Sequence, residues 1–287
     1  CHPQEWLRSP SPHVAVMSVG ILEVISSWTF VGWQLALFLA WAALVPVCKR
    51  SAIFKETPRH AAHQIVVIAP LTYLGATGAW LWFFDADFEA ALTGDRLFGC
   101  YAPAFNISVM MASFQVWDLI TTALLEVRKE AHLIHHATTA FLAFLAVLNG
   151  PHGFLLYYCP FFFGVTEISS VPLTISDLFR TYKPLAESRP IFYRTNRLAF
   201  AVIFLTFRCG YWPILCVDFW QHMLAGNAPF ILSLCWYIAN IGMTALQYYW
   251  GLLIIKGIIN VVRGDKRDQK NEATQAREGL RSQLLSV

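Results

Sequence analysis

The residues whose types and spacing suit chemistry cluster in Trp117–Thr139, WDLITTALLEVRKEAHLIHHATT. A carboxylate, Asp118, precedes three imidazoles, His132, His135 and His136, with apolar chain on both sides. Ionisable groups within apolar helices are costly and mark function by default. On a helix His132 stacks near His135 and His136, at i+3 and i+4, and Thr139 lies one turn beyond His136 on its face. With a rise of about 1.5 Å per residue, His136 falls a few residues inside one membrane boundary. Asp118 falls roughly 10 Å from the same end of the preceding, antiparallel helix. The two groups thus reach a common depth. A carboxylate against an imidazole fixes its tautomer and raises its basicity, as a general base requires. A structural role fits the same spacing, with the histidines as an interfacial belt and Asp118 as a hydrogen-bonding partner.

A second polar set lies further on. Glu167 falls near the middle of an apolar segment, where a carboxylate must be protonated or paired. Arg208, in the next apolar segment, is a candidate partner, as are Thr166, Ser169 and Ser170. Pro172 removes a backbone donor and is expected to kink its helix and open a cavity. A packing role for Glu167 and Arg208 is the alternative. Asp177 reads as interfacial.

The elements that must position these groups are transmembrane helices. The 287 residues are 56% hydrophobic and only 14% charged, with a mean hydropathy of +0.49. A soluble domain carries about 25% charged residues. The pattern predicts an all-α polytopic membrane protein. A first transmembrane helix spans 21–47, six more lie within 48–262, and soluble segments at 1–20 and 263–287 flank them. The six are expected near 61–84, 101–125, 133–148, 154–179, 198–217 and 230–255. The turn Asn149-Gly150-Pro151 closes the fourth span. The seven cysteines show neither a C-x-x-C pair nor zinc spacing, so no disulfide and no metal are expected.

Charge distribution orients the chain. The bends after the first, third, fifth and seventh spans carry 18 of the 21 Lys and Arg; the exceptions are Arg8, Arg96 and Arg208. The positive-inside rule then predicts a lumenal N-terminus, a cytoplasmic C-terminus and the histidines at the cytoplasmic end.

Trp117-Asp118-Leu119, His135-His136-Ala137-Thr138-Thr139 and Glu167 to Pro172 resemble the TLC-domain family, which includes ceramide synthases and translocation-associated membrane proteins. Leu246 to Trp250, continuing through Ile255-Lys256-Gly257, resembles that family's final span, and the likeness covers roughly residues 50–265. The resemblance implies a TLC-type bundle of six core helices plus one, residence in the endoplasmic reticulum and histidines facing a lipid cavity. In the ceramide synthases the paired histidines serve acyl transfer from acyl-CoA to a long-chain base. Those enzymes carry His-Asp-x-x-Asp downstream. Here that region reads Phe161 to Glu167 without His-Asp, closer to the non-synthase TLC proteins.

Two functions stay open. In one, His135 or His136, oriented by Asp118, transfers an acyl group to a lipid amine or hydroxyl in sphingolipid-type metabolism. Glu167, Thr139, His132 and Arg208 would line the substrate site, acyl-CoA would be the co-substrate, and basic loops would hold its phosphates. In the other, the same cavity binds or sorts lipids without turnover. Either way the partners are membrane lipids, with a homo-oligomer allowed and neither nucleic acid nor a bound cofactor expected. A fatty-acid elongase matches only HLIHH, and its K-x-x-E-x-x-D-T and H-x-x-M-Y boxes are absent. A di-iron desaturase needs more histidine boxes than the one present.

Overall fold

The computed structural model describes residues 22–125, 130–148, 153–226 and 228–262, apart from a few side chains at helix ends. The expected segments 1–20 and 263–287 and the turn Asn149–Pro151 therefore lie outside the described residues. Among the described residues there are helices and no strands. Four helices are long and apolar enough to cross a membrane: Trp28–Arg50, Pro58–Phe84, Pro190–Ala225 and Phe230–Asn260. The protein is an all-α polytopic membrane protein.

Helix α1 is Trp28–Arg50, capped by Ser27, whose hydroxyl accepts from the Phe30 amide. The second span divides into α2, Pro58–Val66, and α3, Ile68–Phe84, and a short α4, Ala86–Leu92, follows. Helices α5, Ala102–Ala123, and α6, Glu130–Val147, hold the chemistry-bearing stretch. The fifth apolar segment starts as a π-helical turn, Pro160–Gly164, and a 3₁₀ turn, Val165–Ile168. It then becomes α7, Ser170–Thr181, followed by α8, Lys183–Ser188. The sixth comprises α9, Pro190–Phe204, a π-helical stretch, Leu205–Tyr211, and α10, Trp212–Ala225. Arg194 and Arg197, expected in a loop, lie within α9. The last helix, α11, is Phe230–Val262; the first compact unit ends at Thr244 and the second begins at Ala245.

Three prolines explain where the spans break. Pro70, Pro172 and Pro213 each stand two or three residues into a restarting helix. Each lacks the N–H that would bond the carbonyl four residues back, so the ladder is interrupted just upstream. The expected kink at Pro172 is therefore displaced: the irregular backbone is 160–168, and α7 itself is regular.

That irregular segment packs against α3 through glycine. A Cβ on Gly164 would lie 2.5 Å from Gly78 Cα, and one on Gly78 would lie 2.5 Å from Pro160 O. Only hydrogen at both positions permits this backbone approach, the packing mode that small residues allow between membrane helices. Helix α1 joins α5 through polar bonds: Gln34 Nε2 donates to Ser113 O at 2.5 Å, and Ser113 Oγ to Phe30 O at 3.0 Å.

Replacing Gly78 or Gly164 with Ala is expected to cost about 1–3 kcal/mol through overpacking. Gly32→Ala, where an added Cβ meets nothing within 4 Å, is expected to leave stability unchanged or raised. Thermal denaturation of the detergent-solubilised protein checks both; equal midpoints for all three variants would remove the close-approach argument.

Candidate functional site

Asp118 sits one turn from the C-terminal end of α5 and is 4% exposed. Its oxygens collect donors from three elements. His63 Nε2, on α2, lies 2.6 Å from Oδ1, and Thr122 Oγ1 donates to the same oxygen at 3.1 Å from one turn along α5. His136 Nδ1, near the start of α6, lies 3.2 Å from Oδ2. The same Nδ1 lies 2.8 Å from Gln115 Oε1, while Gln115 Nε2 faces Met111 Sδ at 3.4 Å.

These contacts decide the tautomers. His136 Nδ1 faces two acceptors and so carries the proton in the neutral ring, which makes Nε2 the basic nitrogen. His63 donates from Nε2 to the carboxylate, and its Nδ1 is buried without a hydrogen-bond partner. An N–H at that buried nitrogen would cost more than a bare lone pair, so the Nε2–H tautomer fits the site. The His63 ring stacks on Trp117, with centroids 5.2 Å apart and planes 4° off parallel, which fixes its orientation.

The expected meeting of Asp118 and His136 is present. The second imidazole on the carboxylate is His63, which is not among the residues the sequence pattern singles out. The signal was available: His63 is near the start of one span and Asp118 near the end of an antiparallel one, at the same boundary. Gln115, one turn before Asp118, was also missed because an amide in an apolar run carries no recognisable spacing. The His135 ring lies edge-on to His136, 5.5 Å between centroids. Thr139 donates to His135 O at 2.9 Å and lines a narrow cleft with Leu142, Phe162, Trp212 and Trp236. That cleft has a volume of about 30 Å³, room for a water or a methyl group rather than an acyl chain. His132 lies on α6, and its side chain is outside the described residues.

One turn before His63, His60 is 4% exposed and places Nε2 3.8 Å from Asp177 Oδ2; Asp177 also pairs with Arg180. Asp177 thus joins α7 to α2 through His60.

The second expected pair also forms. Arg208, 6% exposed within the π-helical stretch, places its Nη2 3.4 Å from Glu167 Oε1. Its Nε and Nη2 reach Thr166 O at 3.1 and 2.9 Å, Nε reaches Ser169 Oγ at 2.8 Å, and Nη2 reaches Ser170 Oγ at 3.0 Å. The guanidinium adds two donors to the Thr166 carbonyl, which also accepts from Ser169 N at 3.3 Å and Ser169 Oγ at 2.8 Å. This arrangement satisfies broken backbone as much as it neutralises charge.

An all-α membrane domain with a buried carboxylate held by imidazoles from two neighbouring helices is thus defined. A family model described as TLC domain matches residues 25–256, and the chain belongs to the TLC-domain family. Its role is accordingly that of an integral membrane protein in lipid-related function. No curated protein and no solved structure matches the chain.

The His63–Asp118 contact is expected to show a coupling of about 0.5–3 kcal/mol in a double-mutant cycle with His63→Gln and Asp118→Asn. Asp118→Ala, which leaves His63 without its acceptor and His136 with Gln115 alone, is expected to destabilise by up to about 3–5 kcal/mol. Denaturation of the four cycle proteins measures the coupling; strictly additive effects would mean the contact carries no energy.

Proposed function

We propose that this TLC-domain protein transfers an acyl group from acyl-CoA to a lipid amine or hydroxyl, in sphingolipid-type metabolism of the endoplasmic reticulum. The observation that carries the reading is His136: Nδ1 is held between Gln115 Oε1 and Asp118 Oδ2, so Nε2 is the proton-accepting atom. His136 Nε2 takes the proton of the acceptor N–H or O–H as that atom attacks the thioester carbonyl. A C–N or C–O bond forms, the C–S bond breaks, and the proton passes to the departing CoA thiolate. Asp118 stabilises the transient imidazolium, and His63 holds Asp118 in place. His135, beside His136, contacts the substrate in this scheme, and Thr139, Glu167, Arg208 and His132 line its path. Arg59, one turn before His63, and the Lys49–Arg50 pair supply positive charge for the CoA phosphates.

Membranes containing the protein, labelled acyl-CoA and candidate lipid acceptors are expected to form labelled product. His136→Ala is expected to lower the rate about 100-fold or more, the scale of general-base catalysis. Full product formation by His136→Ala sinks the assignment. The same reading places the C-terminus in the cytosol. A tag after Val287 is then expected to be digested by protease in sealed microsomes whose cytosolic face is outward, and its protection would reverse the orientation.

The tightness of the site supports a second reading. Asp118 is 4% exposed and the cleft beside Thr139 holds about one water. A non-catalytic protein that binds lipid elsewhere and alters membrane composition needs no substrate path to the buried carboxylate. It predicts lipid co-purifying with the chain, no acyl turnover, and a lipid profile that still responds to the protein when His135 and His136 are replaced.

A further inference from the structure

At the other end of α3 from His63, about 30 Å along the helix at 1.5 Å per residue, lies a cleft of about 360 Å³. That volume is within the range of small-molecule sites. Its walls include Trp82, Phe88, Tyr157 and Tyr211, and its acidic groups are Asp85 and Glu89, with no Lys or Arg in the lining. Among the described residues, Arg96 is a nearby cation: it stands 4.5 Å over the Tyr157 ring and is bonded through Nη1 to both oxygens of Asp218, at 2.8 and 2.7 Å. Its charge is matched there, and the cleft keeps its negative balance.

Aromatic walls with carboxylates select a cation, and hydrogen-bonding capacity decides which kind. Asp85 Oδ1 already accepts from the amides of Asp87 and Phe88, at 3.0 and 3.2 Å, and Oδ2 from Tyr101 OH at 2.7 Å. The Tyr211 hydroxyl accepts from Trp82 Nε1 at 3.3 Å. A primary ammonium brings three N–H donors that need acceptors, for which the lining leaves chiefly the Glu89 carboxylate. A trimethylammonium group brings none, and gains from aromatic faces and from uncompensated negative charge. Position then selects the source. Asp85 follows the last residue of an apolar span, and Trp80 and Phe84 beside it are 61% and 70% exposed, as in the aromatic belts at headgroup level.

We propose that this cleft binds the trimethylammonium group of a choline-type lipid headgroup, with Glu89 and Asp85 as counter-charges. The site is independent of the histidine network and stands whether or not that network is catalytic.

The test is native mass spectrometry of the full chain released from micelles containing matched choline-, ethanolamine- and glycerol-headgroup phospholipids. Retention of the choline lipid is expected to exceed that of the ethanolamine lipid roughly 3–10-fold. Glu89→Gln is expected to reduce the preference, and Glu89→Lys to abolish it. The Glu89 side chain is exposed and only its backbone oxygen caps α4, so these variants fold. Trp82→Phe is expected to keep the preference and Trp82→Leu to lose it. Millimolar choline chloride forms a second arm: displacement of the lipid supports headgroup recognition, and Glu89-dependent binding of choline without lipid preference assigns the same chemistry to a soluble quaternary amine. Equal retention of choline and ethanolamine lipids with no choline binding, or a preference unchanged in Glu89→Lys, overturns the proposal.

Discussion

A carboxylate that neither water nor lipid can solvate constrains this structure more than any other group. Asp118 is buried near the end of α5, and isolated burial of an ionisable carboxylate is prohibitively costly. Its partners must come from the protein, and they come from α2, α5 itself and α6. The requirement fixes the rotation of three helices about their axes. It also sets two imidazoles in defined tautomers. A packing constraint and a chemical arrangement are thus the same contact, which is why the site suits both a general base and a rigid lipid-binding scaffold.

The other buried charge solves a different problem. Pro172 forces the fifth segment to restart, and the backbone before it runs through π and 3₁₀ turns that depart from the regular α-helical ladder. Within a membrane such groups must be satisfied by protein. Ser169 and Arg208 together do this for Thr166 O, and Arg208's own π-helical stretch precedes Pro213 in the same way. Two proline-broken segments thus meet at one guanidinium, and Gly78 lets α3 lie close enough to cover the broken backbone.

The arginines that depart from the charge bias have a common explanation. Arg96 is bonded to Asp218 and Arg208 to the Glu167 region, so each is matched inside the protein rather than left to report a membrane side. Arg8 lies outside the described residues.

Composition and hydropathy determined the class and the approximate helices, because a lipid environment imposes long apolar runs that are visible in one dimension, while the family was legible only as a motif resemblance. Depth along those runs also brought Asp118 to His136 and Glu167 to Arg208, since equal distance from a boundary on adjacent helices is a one-dimensional property. What only the tertiary structure decided is rotation and neighbourhood. That His63 faces Asp118, that Gln115 takes the other side of His136 Nδ1, and that the break lies upstream of Pro172 all depend on which helices are adjacent. The aromatic and acidic cleft joins residues from 82–89, 157 and 211, whose separation in sequence hides their common wall. Side-chain partners across helices are set by packing, and packing is not periodic in the chain.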